Sequence, residues 1–144
     1  MKKRSLFLAA LTLVLAALPT QAAAQADAPA DSLALARQWT MWFYGGEADS
    51  LVAYYTGDDD PAERQARYEE LSAMVADRGG FEMEVIEETW KQRNGQTQYW
   101  RTAKFTEIDE PILIRWVYSE GKHLGMGIGP LSQAPPTDPS PEEE

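Results

Sequence analysis

Phe81-Glu82-Met83-Glu84-Val85-Ile86-Glu87-Glu88-Thr89-Trp90-Lys91-Gln92-Arg93, then Asn94-Gly95, then Gln96-Thr97-Gln98-Tyr99-Trp100-Arg101-Thr102-Ala103-Lys104-Phe105, is the stretch on which the fold turns. Two runs rich in β-branched and aromatic residues flank Asn-Gly, a pair that tolerates the positive φ of a tight hairpin. A two-residue loop pairs Arg93 with Gln96 and so sets Trp90 opposite Tyr99, Glu88 opposite Arg101 and Ile86 opposite Ala103. Directly opposed residues share a face of the sheet. The reading predicts two strands, 81–93 and 96–105.

Downstream, Thr106 to Pro111 reads as a looser segment, Ile112 to Tyr118 as a third strand and Lys122 to Ile128 as a fourth. A two-residue turn at Glu120-Gly121 would set Trp116 against Gly125 and leave large side chains over glycines. A three-residue turn with Gly121 in the left-handed position pairs Trp116 with Leu124, Ile114 with Met126 and Ile112 with Ile128, and this is the expected register. It sends His123, Gly125, Gly127 and Gly129 to the opposite face.

Upstream the period changes to that of helices. Asp31 or Ser32 can cap a helix whose apolar residues Leu35, Trp39, Trp42 and Phe43 recur at spacings of three and four, ending at Gly45-Gly46. A second helix is expected over Glu47 to Tyr55. Asp60, Pro61 and Glu63 open a third with a capping box, Tyr68, Leu71, Met74 and Val75 form its apolar face, and Gly79-Gly80 closes it. Asp58-Asp59-Asp60 lacks the alternating ligands and distal glutamate of a calcium loop and reads as a cap with solvated neighbours. The expected class is α+β: three N-terminal helices packed on one face of a curved, mainly antiparallel four-stranded sheet.

The first residues carry a different message. Met1-Lys2-Lys3-Arg4 precedes an apolar run from Leu6 to Leu18, broken by Pro19, and Ala24-Gln25-Ala26 offers an A-x-A cleavage site. Residues 1–26 are expected to be a signal peptide, cleaved near Ala26 or after Ala24, with 27–31 a flexible lead-in and 32–131 the domain. No cysteine is present to accept a lipid, so the mature chain is expected to be periplasmic or secreted without a stable membrane anchor. Losing three cations makes it more acidic than the −10 of the full sequence, which argues against nucleic acid as a partner. Residues 132–144, with four prolines and a terminal Glu run, are expected to be a disordered tail.

With no cysteine and a single histidine, the chain has no thiolate nucleophile, disulfide or cysteine-based metal site, and no metal or cofactor is called for. His123 is expected on the outer face as a bystander.

The element order, an aromatic first helix, a short second, a third ending in Gly79-Gly80, then hairpin strands and Glu120-Gly121-Lys122 leading to Leu124-Gly125-Met126-Gly127-Ile128, resembles the nuclear-transport-factor-2-like superfamily. It is similar in particular to the small exported domains of unknown function in that group. The resemblance covers about Ser32 to Leu131. It implies a sheet wrapped with helices into a cone, and homodimerisation through the outer sheet face. The superfamily holds isomerases, dehydratases and hydrolases beside non-catalytic members, so the resemblance implies no single activity. An aspartate–tyrosine–acid trio does not map onto this sequence: Asp109 falls in the loop beside Pro111, and Tyr99 has only Glu88 as an acid on its face.

The sharpest candidate site is Glu88 with Arg101, on the face of Trp90, Tyr99 and Trp116. The guanidinium could take a ligand carboxylate while these aromatics and Trp39 cover its apolar part. The plainer reading is a cross-strand ion pair for Glu88 and Arg101 and a core stripe for the tryptophans. The expected function is non-enzymatic binding of a small amphipathic ligand or a protein partner. The alternative is a small isomerase, dehydratase or hydrolase using Glu88, or Asp109, with Tyr99.

Overall fold

The structure, a computed structural model, describes residues 30–140. The expected signal peptide, its expected cleavage site and the last four residues lie outside them. Three helices, α1 (Ala30–Tyr44), α2 (Ala48–Val52) and α3 (Pro61–Gly79), precede four strands, β1 (Glu82–Arg93), β2 (Gln96–Phe105), β3 (Ile108–Ser119) and β4 (Lys122–Pro130). The sheet is an open antiparallel meander in the order β1-β2-β3-β4. The class is therefore α+β.

The helix punctuation follows backbone chemistry. Asp60 accepts from the amides of Ala62, at 2.8 Å, and Glu63, so two of α3's orphan N–H groups are satisfied, and Pro61 occupies a position that needs no donor. Asp31 lies inside the first turn of α1 rather than at a cap. Gly80 ends α3 at φ 75° and ψ −123°, a conformation open to glycine.

The core joins Trp39 and Phe43 of α1, Leu51 of α2 and Tyr68 of α3 to Tyr99, Ile114 and Trp116 of the sheet. Trp39 and Trp116 are fully buried with ring centroids 5.8 Å apart. Each tryptophan removes roughly 200 Å² from water, at most about 5 kcal/mol apiece. The indole of Trp116 donates to Thr40 Oγ1 at 3.0 Å, and that hydroxyl donates to the Ala36 carbonyl at 2.9 Å, so two polar groups enter the core satisfied.

The first hairpin has the expected register at its tip: Arg93 pairs with Gln96, Trp90 with Tyr99 and Glu88 with Arg101, across a turn whose φ values are 53° at Asn94 and 73° at Gly95. Farther along, Val85 rather than Ile86 faces Ala103. Register shifts between Glu82 and Glu84 and between Val85 and Glu87 leave Met83 and Ile86 as extra residues without a cross-strand partner. Such bulges bend an edge strand and disrupt its ladder.

The last hairpin corrects the expected register. Its turn has two residues, Glu120 (φ 48°) and Gly121 (φ 81°), and Ser119 pairs with Lys122 and Tyr118 with His123. A shift then skips Leu124, so that Trp116 faces Met126, Ile114 faces Ile128 and Ile112 faces Pro130. A tight turn plus one extra residue builds the same apolar face that a longer turn would have built. The extra residue also sends His123 to the other side of the sheet. Its side chain is fully buried on the Trp116 face, between Tyr68, which donates to Nδ1 at 3.2 Å, and the Leu51 carbonyl, 2.9 Å from Nε2. The Nε2–H tautomer satisfies both nitrogens. His123 is thus a core residue, not an outer bystander. Its backbone pairs with the chain beside it: His123 N donates to Tyr54 O and Thr56 N to His123 O, each at 2.9 Å.

β3 is also longer than expected and includes Asp109, Glu110 and Pro111, so Asp109 lies in a strand rather than a loop.

Candidate functional site

β1 and β2 bring three charged side chains onto the Trp116 face, and α1 contributes a fourth. Arg101 is central, with 9% of its side chain exposed. Its Nε donates to Glu82 Oε2 at 3.1 Å and its Nη2 to Glu82 Oε1, while Nη1 donates to Glu88 Oε1 at 2.9 Å and to the Tyr99 hydroxyl at 3.4 Å. Glu88 is held from its other side by Arg37, whose Nε and Nη2 reach Oε1 and Oε2 at 2.9 and 2.6 Å, a bidentate fork. Tyr99 donates its hydroxyl to Glu88, and Tyr44 donates to Glu82 Oε2 at 2.6 Å.

This closed network decides the protonation of its members. The Arg37 fork holds the Glu88 carboxyl at about 2, against a smaller opposing push from desolvation. Burial pushes the Tyr99 phenol up, and the adjoining Glu88 adds to it. Burial raises Tyr44 too, helped by Glu82. Burial alone would lower the Arg101 guanidinium, but the hydrogen bonds of Glu82 and Tyr99 more than offset it. At neutral pH Glu88 is a carboxylate, Arg37 and Arg101 are cations, and Tyr44 and Tyr99 are neutral phenols.

The structure thus brings Glu88, Arg101 and Tyr99 together, with Trp90 packed against Tyr99 at a tilt of 58° and 5.6 Å between centroids. Trp39 and Trp116 lie deeper, in the core. Asp109 is not part of this group: Tyr99 faces Trp116, seven residues along β3 from Asp109, or about 23 Å of extended strand. Arg37, Glu82 and Tyr44 are the members that sequence reasoning missed. Glu82 was legible in principle, since its even spacing puts it on the face of Glu88, but the hairpin count sets it opposite Glu107, and only the two bulges bring it opposite Phe105 and within reach of Arg101.

Beside the network opens a pocket of about 280 Å³ lined by Met41 and Tyr44 of α1, Ser72, Val75 and Ala76 of α3, and Gly80, Phe81, Glu82 and Phe105. Its walls are mainly apolar, and the hydrogen-bonded Tyr44–Glu82 pair forms its polar side. A second pocket of about 240 Å³ shares Val75 and Phe105 and continues toward Ile112 and Ile128, with Arg78 and Glu110 at its rim. Among the described residues no cluster of three metal-ligating side chains occurs, and no helix is long and apolar enough to cross a membrane.

No protein-family model, no curated protein and no solved structure matches the chain.

Proposed function

We propose that the chain is an exported, nuclear-transport-factor-2-like domain, a cone with three helices over one face of its sheet, that binds a small amphipathic molecule without turning it over. The observation that carries this reading is the apolar pocket between α1, α3 and β2 with Tyr44 and Glu82 as its polar wall. Sites for small ligands combine such apolar lining with a few convergent polar groups. A cavity of 150 Å³ holds benzene, so about 280 Å³ suits roughly ten non-hydrogen atoms. The bent, twice-bulged β1 supports the curved sheet of the superfamily.

The protonation states support binding without turnover. A general base works best with a pKa near the operating pH, and a carboxylate held at about 2 is a weak one. Tyr99, pushed upward, is an equally weak acid. Arg101 donates through all three of its nitrogens to Glu82, Glu88 and Tyr99 and presents no free fork to a ligand carboxylate. A ligand in the pocket meets instead the Tyr44–Glu82 wall, which favours a hydroxyl or an ammonium head over a carboxylate.

Calorimetric titration with octanol, decanol and dodecylamine tests the reading. Saturable binding is expected, and it should be lost in Ala76→Trp, where an indole on the exposed side of α3 fills the pocket mouth. Equal binding by wild type and Ala76→Trp, or none by wild type, would count against the pocket.

A further inference from the structure

The chain after β4 is not a free end. Past a 3-10 turn at Leu131–Gln133, Gln133, Ala134 and Pro135 border a cleft of about 120 Å³ with Leu113 and Arg115, on the sheet face opposite Trp116. The segment that composition marked as disordered then reaches the tip of the first hairpin. There Arg93 Nε donates to the Pro136 carbonyl at 3.2 Å, and Asp138 N donates to the Gln92 carbonyl at 2.8 Å. The Asp138 carboxylate accepts from Asn94 N and Gly95 N, both at 2.9 Å.

These four hydrogen bonds read a peptide in register. In a two-residue turn with positive φ at both positions, the central amides point away from the ladder and lack a strand partner. Two adjacent donors of that kind form a small anion-binding concavity. A carboxylate bridges both, a guanidinium takes the carbonyl two residues earlier, and the edge carbonyl of Gln92 takes the amide of the carboxylate-bearing residue itself. The prolines at 135, 136 and 139 hold the segment extended and lower the entropy of docking it.

We propose that the tip Arg93-Asn94-Gly95 is a recognition site for an acidic, proline-containing peptide of the pattern Pro-x-Asp, and that residues 136–138 of the chain are its intramolecular occupant. The site takes one carboxylate, one carbonyl and one amide, with no requirement on the side chain between them. While the tail sits there, the segment from Gln133 to Pro135 stays against Leu113 and Arg115. A protein partner carrying the same pattern binds by displacing the tail, and displacement also uncovers that part of the sheet.

Amide exchange on the full chain tests this, because the two turn amides have no other acceptor in the network described. In Asp138→Ala, exchange at Asn94 and Gly95 is expected to accelerate about tenfold or more while strand amides at Tyr99 and Trp116 are unchanged. Unchanged exchange at the turn would overturn the proposal. A synthetic peptide of residues 134–144 is then added to the same variant. It is expected to restore protection at Asn94 and Gly95 with a Kd of order 1 mM, and to act at least about tenfold more weakly on the wild-type chain, whose own tail holds the site. Failure to protect the variant, equal action on both chains, or equal action by a peptide carrying Asp138→Asn would overturn it.

Discussion

Replacing Arg101 by methionine keeps the length of the side chain and removes the charge that two carboxylates share. Glu88 retains Arg37, but Glu82 keeps only the Tyr44 hydroxyl, with 14% of its side chain exposed. Breaking a buried pair by removing one partner costs about 3–5 kcal/mol, and the partial exposure here puts Arg101→Met near 3. Glu88→Gln is expected to cost less, about 2 kcal/mol, because Arg101 keeps both hydrogen bonds to Glu82 and the amide oxygen can still accept, although the amide –NH2 replaces one of the two oxygens that took the Arg37 fork. Urea unfolding at pH 7 separates the two. If Arg101→Met were neutral while Glu88→Gln was costly, Arg37 rather than Arg101 would be the residue that keeps the network together.

The joint between α3 and β1 makes an element-scale comparison possible. Gly80 is braced by the turn between β2 and β3: Thr106 N donates to Phe81 O at 2.9 Å, Glu107 N to Gly79 O at 3.0 Å, and Phe81 N to the Thr106 hydroxyl at 3.1 Å. A Cβ at Gly80 would run into the Thr106 side chain in a backbone region closed to other residues. Gly80→Ala is expected to cost about 3 kcal/mol. Gly95→Ala, also at positive φ but with open space around it, should cost about 1 kcal/mol. Thermal unfolding of both variants checks the order. The same joint shows what was legible in the sequence. Asp60-Pro61 and Gly79-Gly80 bounded α3 because capping and chain reversal depend on local backbone chemistry, and Asn94-Gly95 set the β1–β2 tip for the same reason. The register beyond a bulge is not local. One extra residue at Leu124 moved His123 into the core, and one at Ile86 moved Val85 opposite Ala103. Alternation patterns count residues and cannot register an insertion that both strands tolerate. Glu82 shows the limit in another form: two insertions restore its parity with Glu88, so alternation keeps both on one face, but they bring Glu82 opposite Phe105, two residues nearer Arg101 than the hairpin count gives.

For the molecule as a whole, acid exposes a competition between two effects of opposite sign. The chain carries a formal charge of −10, so protonating surface carboxylates relieves self-repulsion and favours the compact state. Against this stands His123, lowered by burial from 6.5 to about 4, with the Arg64 charge adding to burial and the Leu51 carbonyl opposing it. Its neutral form is the one the fold accommodates, since protonation would turn Nδ1 from an acceptor of the Tyr68 hydroxyl into a second donor. Above pH 6.5 the full contribution is present. Between 6.5 and about 4 the unfolded chain takes up a proton that the folded chain refuses, and stability drops by about 3 kcal/mol. Glu88 acts lower: its contribution is complete above 4.5 and disappears as pH falls toward about 2. One buried imidazole outweighs repulsion among charges that salt already screens, so unfolding free energy in physiological salt should fall on acidification from pH 7 to pH 4. In His123→Gln, less stable at pH 7 through the lost core contacts, the same span should be nearly flat, because only the relief of repulsion and, below pH 4.5, the opposing onset of the Glu88 loss remain. A slope in the variant as steep as in the wild type would place the acid sensitivity elsewhere in the fold.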